Sequence, residues 1–216
     1  MNDINSKILQ KKYELLEYNS VSAQNFLSAA FKVISANIDL TSKPSFLDIG
    51  CGRGYFLKFL AENNFSDLLG IEPDEILRKN KIIDCIIDGT FENNNISDEE
   101  FDIVFTCHAL HHLSDKNPVN AIREMLRITK KYIVIIEVNN SNLMILLNAL
   151  IFYKAEKFGL SYNIGKIKKL TDGLNLNVKY QDNLNCGYIS TDMFVFNIFH
   201  KIFSLPYSIT ILEKNR

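Results

Sequence analysis

The chain has 216 residues, a formal net charge of -1 and a pI near 6.4, with 47% hydrophobic and 23% charged residues. This is a globular composition with room for one core. It excludes a global basic field that would draw in a polyanion, so no nucleic-acid partner is expected. The four cysteines Cys51, Cys85, Cys107 and Cys186 contain no CxxC pair. Neither a zinc site nor a redox motif is therefore expected, no metal is assigned, and all four are read as reduced thiols of a cytoplasmic protein.

In chain order, Met1–Gln10 is polar and lacks the apolar core of a secretion signal. The first 40 residues have helical periodicity, with Ile8, Leu9, Tyr13, Leu15 and Leu16 on one face and Phe26, Leu27, Ala30, Phe31 and Ile34 on another. Pro44 ends that region. Short apolar runs then alternate with helical patterns. Strands are predicted at Ser45–Ile49, Leu68–Glu72, Ile82–Ile87, Phe101–Thr106 and Tyr132–Glu137. Helices are predicted at Tyr55–Glu62, Asp74–Lys79 and Val119–Ile128. Runs such as Ile133-Val134-Ile135-Ile136 are apolar on both faces, as parallel strands covered by helices must be. Further on, Leu143–Gly159 and Ile164–Leu170 read as helices, and Leu176–Gln181 and Ser208–Glu213 as closing strands. The apolar stretches Leu143–Tyr153 and Met193–Leu205 are too short or too polar to span a bilayer, so no transmembrane segment is expected.

The strongest local signal is Phe46-Leu47-Asp48-Ile49-Gly50-Cys51-Gly52-Arg53-Gly54-Tyr55. A buried strand runs into a glycine-rich turn and then a helix, an arrangement that lets a ligand approach the main chain. A dinucleotide site wants GxGxxG, but the position of its third glycine holds Tyr55. Asp48, two residues before the first glycine, would repel a pyrophosphate and suits a ligand carrying an ammonium and a sulfonium. Glu72 ends the second strand roughly 20 residues after the loop, where a carboxylate accepts from both ribose hydroxyls, and Pro73 stops that strand. Asp88 ends the third strand and opens Asp88-Gly89-Thr90-Phe91-Glu92. Its carboxylate is placed to accept from an adenine amino group, with Phe91 against the ring.

These features, together with Phe101-Asp102-Ile103-Val104-Phe105 leading into Ala109-Leu110-His111-His112-Leu113-Ser114-Asp115, resemble the class I, seven-stranded Rossmann-like methyltransferases over about residues 45–138. The resemblance implies an α/β fold with helices on both faces of a mostly parallel sheet of order 3-2-1-4-5-7-6, strand 7 antiparallel. It implies S-adenosyl-L-methionine as cofactor, at the carboxyl ends of strands 1 to 4. Asp48, Gly50, Cys51, Gly52, Gly54, Tyr55, Glu72, Pro73, Asp88, Gly89, Thr90, Phe91 and Cys107 are then the cofactor-binding candidates. The chain departs from the family where a Pro-Gly-Gly turn often precedes strand 5; Ile128-Thr129-Lys130-Lys131 stands there instead.

His108, His111 and His112 follow strand 4, where an acceptor would meet the methyl group, and are the candidate catalytic residues. One of them is suited to general-base work near neutral pH; packing at the start of a helix is the alternative. Asp102 is read as structural. Tyr13 is a lid candidate within an N-terminal segment 1–40, ahead of a cofactor core 45–138 and substrate-side elements 139–216 of one domain. The helices after strand 5, with the aromatic run Met193, Phe194, Phe196, Phe199 and Phe203, suggest a cap over a lipophilic or aromatic small-molecule acceptor. Two other readings stand beside this one: a nucleic-acid or protein methyltransferase, and a cofactor-binding module without turnover. Thr106-Cys107-His108-Ala109 at the end of strand 4, in place of an Asn-Pro-Pro-Tyr type of motif, argues against methylation of base amino groups.

Overall fold

In the computed structural model, which describes residues 17–113, 118–139, 164–186 and 207–215, seven strands form one sheet of order β3-β2-β1-β4-β5-β7-β6. The strands are β1 (Phe46–Ile49), β2 (Leu68–Ile71), β3 (Ile86–Ile87), β4 (Phe101–Cys107), β5 (Thr129–Val138), β6 (Leu176–Leu184) and β7 (Tyr207–Lys214). The pairings β1–β2, β2–β3, β1–β4 and β4–β5 are parallel, and β7 runs antiparallel to both β5 and β6. The order reverses at β1, which is the switch point where open α/β sheets bind ligands. This is the topology the sequence implied.

The described helices are α1 (Val21–Asn37), α2 (Tyr55–Glu62), α3 (Glu75–Lys79), α4 (Pro118–Ile128) and α5 (Ile164–Thr171). On one face of the sheet, Leu27, Ala30 and Ile34 of α1 and Phe56 and Leu60 of α2 pack on Phe46, Ile103, Phe105, Val134 and Ile136. The rings of Phe56 and Phe105 stack with centroids 4.2 Å apart. On the other face, Ala121, Ile122, Met125 and Ile128 of α4 and Ile167 of α5 pack on Leu47, Ile49, Val104, Ile133 and Ile135. Two-sided burial is why β5 reads as an unbroken apolar run.

Polar side chains fix where elements begin. Ser20 accepts from Ala23 N at the start of α1, and Asp74 accepts from Ile76 N and Leu77 N at the start of α3. Asp102 clamps the amino end of the sheet, as its structural assignment requires. Its Oδ2 accepts from Ser45 N at 2.9 Å and Ser45 Oγ at 2.8 Å, while Asp102 N donates to Ser45 Oγ.

Two expectations need correction. Ile82–Cys85 is not strand; only Ile86–Ile87 pairs with β2. The apolar run there is consumed by packing under the glycine loop, since Ile82 N donates to Arg53 O and Ile83 lies against Gly54. In addition, β5 begins at Thr129 rather than Tyr132 and follows α4 directly, so Ile128–Lys131, which stands in place of a Pro-Gly-Gly turn, is the helix–strand junction itself. Lys214 Nζ takes over the capping there, donating to Leu126 O and Thr129 O. The predicted helix Leu143–Gly159, Tyr13 and the aromatic run Met193–Phe203 lie outside the described residues. Among the described residues no helix is long and apolar enough to cross a membrane, and no group of His, Cys, Asp or Glu is arranged to hold a metal.

Candidate cofactor and acceptor site

The glycine loop joins β1 to α2 at the carboxyl edge of the sheet. Gly50 N and Cys51 N both donate to Ile71 O, which ties the loop to β2. Gly50 has φ +78°, and a Cβ there would lie 2.5 Å from Ala109 Cβ, so the loop sits directly against the segment that follows β4. Gly52, with φ +56°, has nothing within 4 Å of where its Cβ would be. One glycine is therefore needed for packing, and the other faces open space. Gly54 closes the turn through N–H to Cys51 O and heads α2. Arg53 Nε donates to Asn80 O, and its Nη1 donates to Tyr55 Oη at 3.1 Å, so Tyr55 braces the loop from outside.

Two carboxylates stand beside the loop. Glu72 is only 6% exposed; its Oε2 accepts from Gly52 N at 2.8 Å and its Oε1 from Asp74 N at 2.9 Å, across the exposed Pro73. An ionised carboxylate has about four lone-pair sites, so each oxygen of Glu72 keeps capacity for another donor. Burial raises its pKa, and the amides of Asp74 and Gly52 pull the other way. Asp48 is 3% exposed, and its buried Oδ1 accepts no hydrogen bond among the described residues. Desolvation, then the charge of Glu72, drives its pKa well above the ordinary carboxylate range. A buried acceptor without a donor costs about 1–3 kcal/mol, and a cationic donor brought by a ligand removes that cost. The orphaned Asp48 oxygen, the spare acceptor capacity of Glu72 and the open side of Gly52 together fit an adenosyl ligand bearing an ammonium group.

The third strand departs from the expected arrangement. Asp88 is exposed, and its Oδ1 pairs with Arg78 Nη1 at 2.9 Å; the same guanidinium nitrogen donates to Glu72 O at 2.6 Å. Arg78 thus latches the ends of β2 and β3 together, a role its sequence position inside a charged helix did not signal. Gly89 packs on Ile71, and Thr90 closes a small turn with Asn93. Phe91 is buried in the core with Leu47, Ile49 and Ile71. Its ring is consumed by packing, which corrects the expectation that it lies against an adenine ring.

Cys51 and Cys107 also flank the site. Burial raises both thiols, reinforced first by Asp48 in each case and next by Glu72 for Cys51 and Glu137 for Cys107. Both are protonated at neutral pH and supply packing rather than a nucleophile.

The histidines separate. His112 is exposed, His111 is buried and His108 lies between. The segment is a single 3₁₀ turn, Leu110–His112, rather than the start of a longer helix. His108 has φ +54°, and its ring lies 4.6 Å from the Tyr207 ring and 5.7 Å from Phe26. His111 Nδ1 is 2.6 Å from Glu137 Oε2. Sequence reading missed Glu137; the signal available was a carboxylate closing the buried run Ile133–Ile136.

Residues 47–135 match the family model of a methyltransferase domain. An uncharacterized methyltransferase of Geobacillus sp. (strain WCH70) is 33% identical over 90 residues, covering 39% of this chain and 42% of that protein. The chain thus spans about two fifths of that curated relative's length. The plantazolicin methyltransferase BpumL, solved with S-adenosylhomocysteine, superposes with a TM-score of 0.70 at 17% identity, covering 100% of this chain and 92% of that one. A SAM-dependent methyltransferase from Archaeoglobus fulgidus gives 0.67 at 18% identity, covering 96% and 99%. These two likenesses are of fold.

Proposed function

We propose that this chain, a class I methyltransferase in its fold and in its central segment, moves the methyl group of S-adenosylmethionine to a small-molecule acceptor. The observation that carries the reading is the buried, donor-less Asp48 oxygen beside Glu72 behind a loop whose middle glycine faces open space. Asp48 binds the ammonium group, Glu72 accepts from the ribose hydroxyls, and Gly52 admits the ligand to the main chain. Asp88 is left to Arg78 and to the rim of the site. When bound, the cofactor supplies an electrophilic methyl group on a sulfonium. The fold then holds donor and acceptor aligned, and alignment of this kind contributes about 7–11 kcal/mol in favourable systems.

Of the three histidine candidates, the half-buried His108 is assigned to the acceptor side, where its imidazole takes a proton if the nucleophile must lose one. His111 is committed to Glu137 and acts through position only. Phe26 and Tyr207 beside His108 favour a lipophilic or aromatic acceptor. A polyanionic acceptor is disfavoured by charge: Lys130, Lys131, Lys179 and Lys214 are paired with Asp102, Glu213, Glu213 and Glu99, respectively.

The reading is tested by incubating the full chain with methyl-labelled S-adenosylmethionine and a fractionated cell extract. Label in the low-mass, organic-soluble fraction is the expected result. Label confined to RNA or protein contradicts the acceptor class. Cofactor binding without transfer above a boiled control leaves only a binding module.

A further inference from the structure

Glu137 ends the buried run Tyr132–Ile136 at the carboxyl end of β5 and is itself 1% exposed. Its Oε1 accepts from Leu110 N at 2.8 Å, and its Oε2 lies 2.6 Å from His111 Nδ1. Both partners belong to the short turn after β4. Burial pushes the Glu137 carboxyl up, but the charge and hydrogen bond of His111, the charge of His108 and the Leu110 amide bring it below the ordinary carboxylate range. An ionised carboxylate only accepts, so His111 Nδ1 carries the proton and donates it. Bonds of this charge-assisted type are about twice as strong as neutral ones, and more so out of water.

That turn opens with His108 at φ +54°, a left-handed conformation that non-glycine residues seldom adopt unless their surroundings enforce it. Three contacts enforce it here. His108 N donates to Ile136 O, Ala109 lies against Gly50, and Glu137 grips the following turn from below. The enforced conformation places the His108 ring beside Tyr207 and Phe26.

We propose that Glu137 is the positioning residue of the acceptor site: through Leu110 N–H and His111 Nδ1–H it holds the strained turn that keeps the His108 imidazole at the carboxyl end of β4. The proposal rests on the methyl-transfer reading. It assigns the His111–Glu137 pair a role in geometry rather than in stability alone. An ion pair of similar burial is often replaceable with little loss of stability, which makes a role in specifying geometry worth testing here.

The test compares the full native chain with Glu137→Gln and Glu137→Asp. The first removes the charge and keeps an acceptor oxygen; the second keeps the charge and shortens the reach. Three quantities are measured: S-adenosylhomocysteine affinity by calorimetry, the His108 ring resonance by NMR, and turnover of labelled methyl into the extract. In Glu137→Gln, affinity is expected to stay within about threefold. The Tyr207 ring-current shift of His108 should collapse, and turnover should fall about 30-fold or more, the scale expected for misplacing a reacting group. Glu137→Asp should recover part of both losses. An unmoved His108 resonance with turnover within about twofold of native overturns the proposal and leaves the methyl-transfer reading intact. A native chain that binds no S-adenosylhomocysteine overturns that reading, and this proposal with it. Should Glu137→Gln not fold, Glu137→Asp decides: a displaced His108 with cofactor affinity retained supports the proposal, and an undisplaced one overturns it.

Discussion

Asp48 is a residue the apo fold tolerates rather than uses. Its folded pKa is raised by desolvation, so between the ordinary carboxylate range and that raised value the folded chain binds more protons than the unfolded one. Stability from this group is present at low pH and lost as pH rises. Glu137, with a lowered pKa, contributes in the opposite sense: its stabilisation is present above the ordinary range and lost as pH falls. Asp48→Asn should therefore stabilise the ligand-free chain by about 1–3 kcal/mol at pH 8 and flatten its decline as pH rises above the ordinary carboxylate range. It should also weaken cofactor binding tenfold or more, by about 1.4 kcal/mol. Urea melts at several pH values, with and without S-adenosylhomocysteine, measure both effects. The two loop glycines separate in the same way. Gly50→Ala brings a methyl 2.5 Å from Ala109 and should destabilise the fold by about 2 kcal/mol or more. Gly52→Ala meets no neighbour and should cost only about 1 kcal/mol of backbone strain, yet abolish tight binding because its methyl enters the ligand's space. Thermal melts and calorimetry on the two variants distinguish the two losses.

Among the elements, the amino end of the sheet depends on the reciprocal Ser45–Asp102 clamp, which joins the starts of β1 and β4. Burial tends to raise Asp102, but Ser45 and Lys130 lower its pKa overall, so this contribution fades as pH falls. Ser45→Ala should cost about 1–2 kcal/mol of stability and leave cofactor affinity unchanged, because the clamp lies at the opposite end of the strands from the glycine loop. Much of the element pattern was legible in the sequence. Tyr55–Glu62 carries an apolar face at helical spacing, and β5 is apolar on both sides, so local periodicity and tertiary burial agree there. The failures have physical causes. Ile82–Cys85 reads as strand in the sequence, but Ile82 N bonds to Arg53 O and the Ile83 side chain lies against Gly54, which holds this stretch to the glycine loop. Phe91 has the right position for a ligand-stacking ring and is claimed by the core instead. Both Arg78 and Glu137 act through pairings distant in sequence or across strands, which no local pattern encodes.

At the scale of the molecule, the sheet order places β1 at the reversal point, and every cofactor contact inferred above follows from that placement. The glycine spacing and the strand-end Glu72 made the proposed cofactor half legible in the sequence, and the structure brings the two together through the Gly52 N to Glu72 Oε2 hydrogen bond. The proposed acceptor half was not legible, because it rests on how His108, Phe26 and Tyr207 converge from three separate parts of the chain. The most direct measurement is calorimetric titration of S-adenosylhomocysteine into the full chain and into Glu72→Gln. Saturable heat with one site in the native chain, and affinity at least about tenfold weaker in the variant, a loss of about 1.4 kcal/mol, is the expected result. No heat in the native chain, or identical affinity in the two proteins, would contradict the assignment of this pocket.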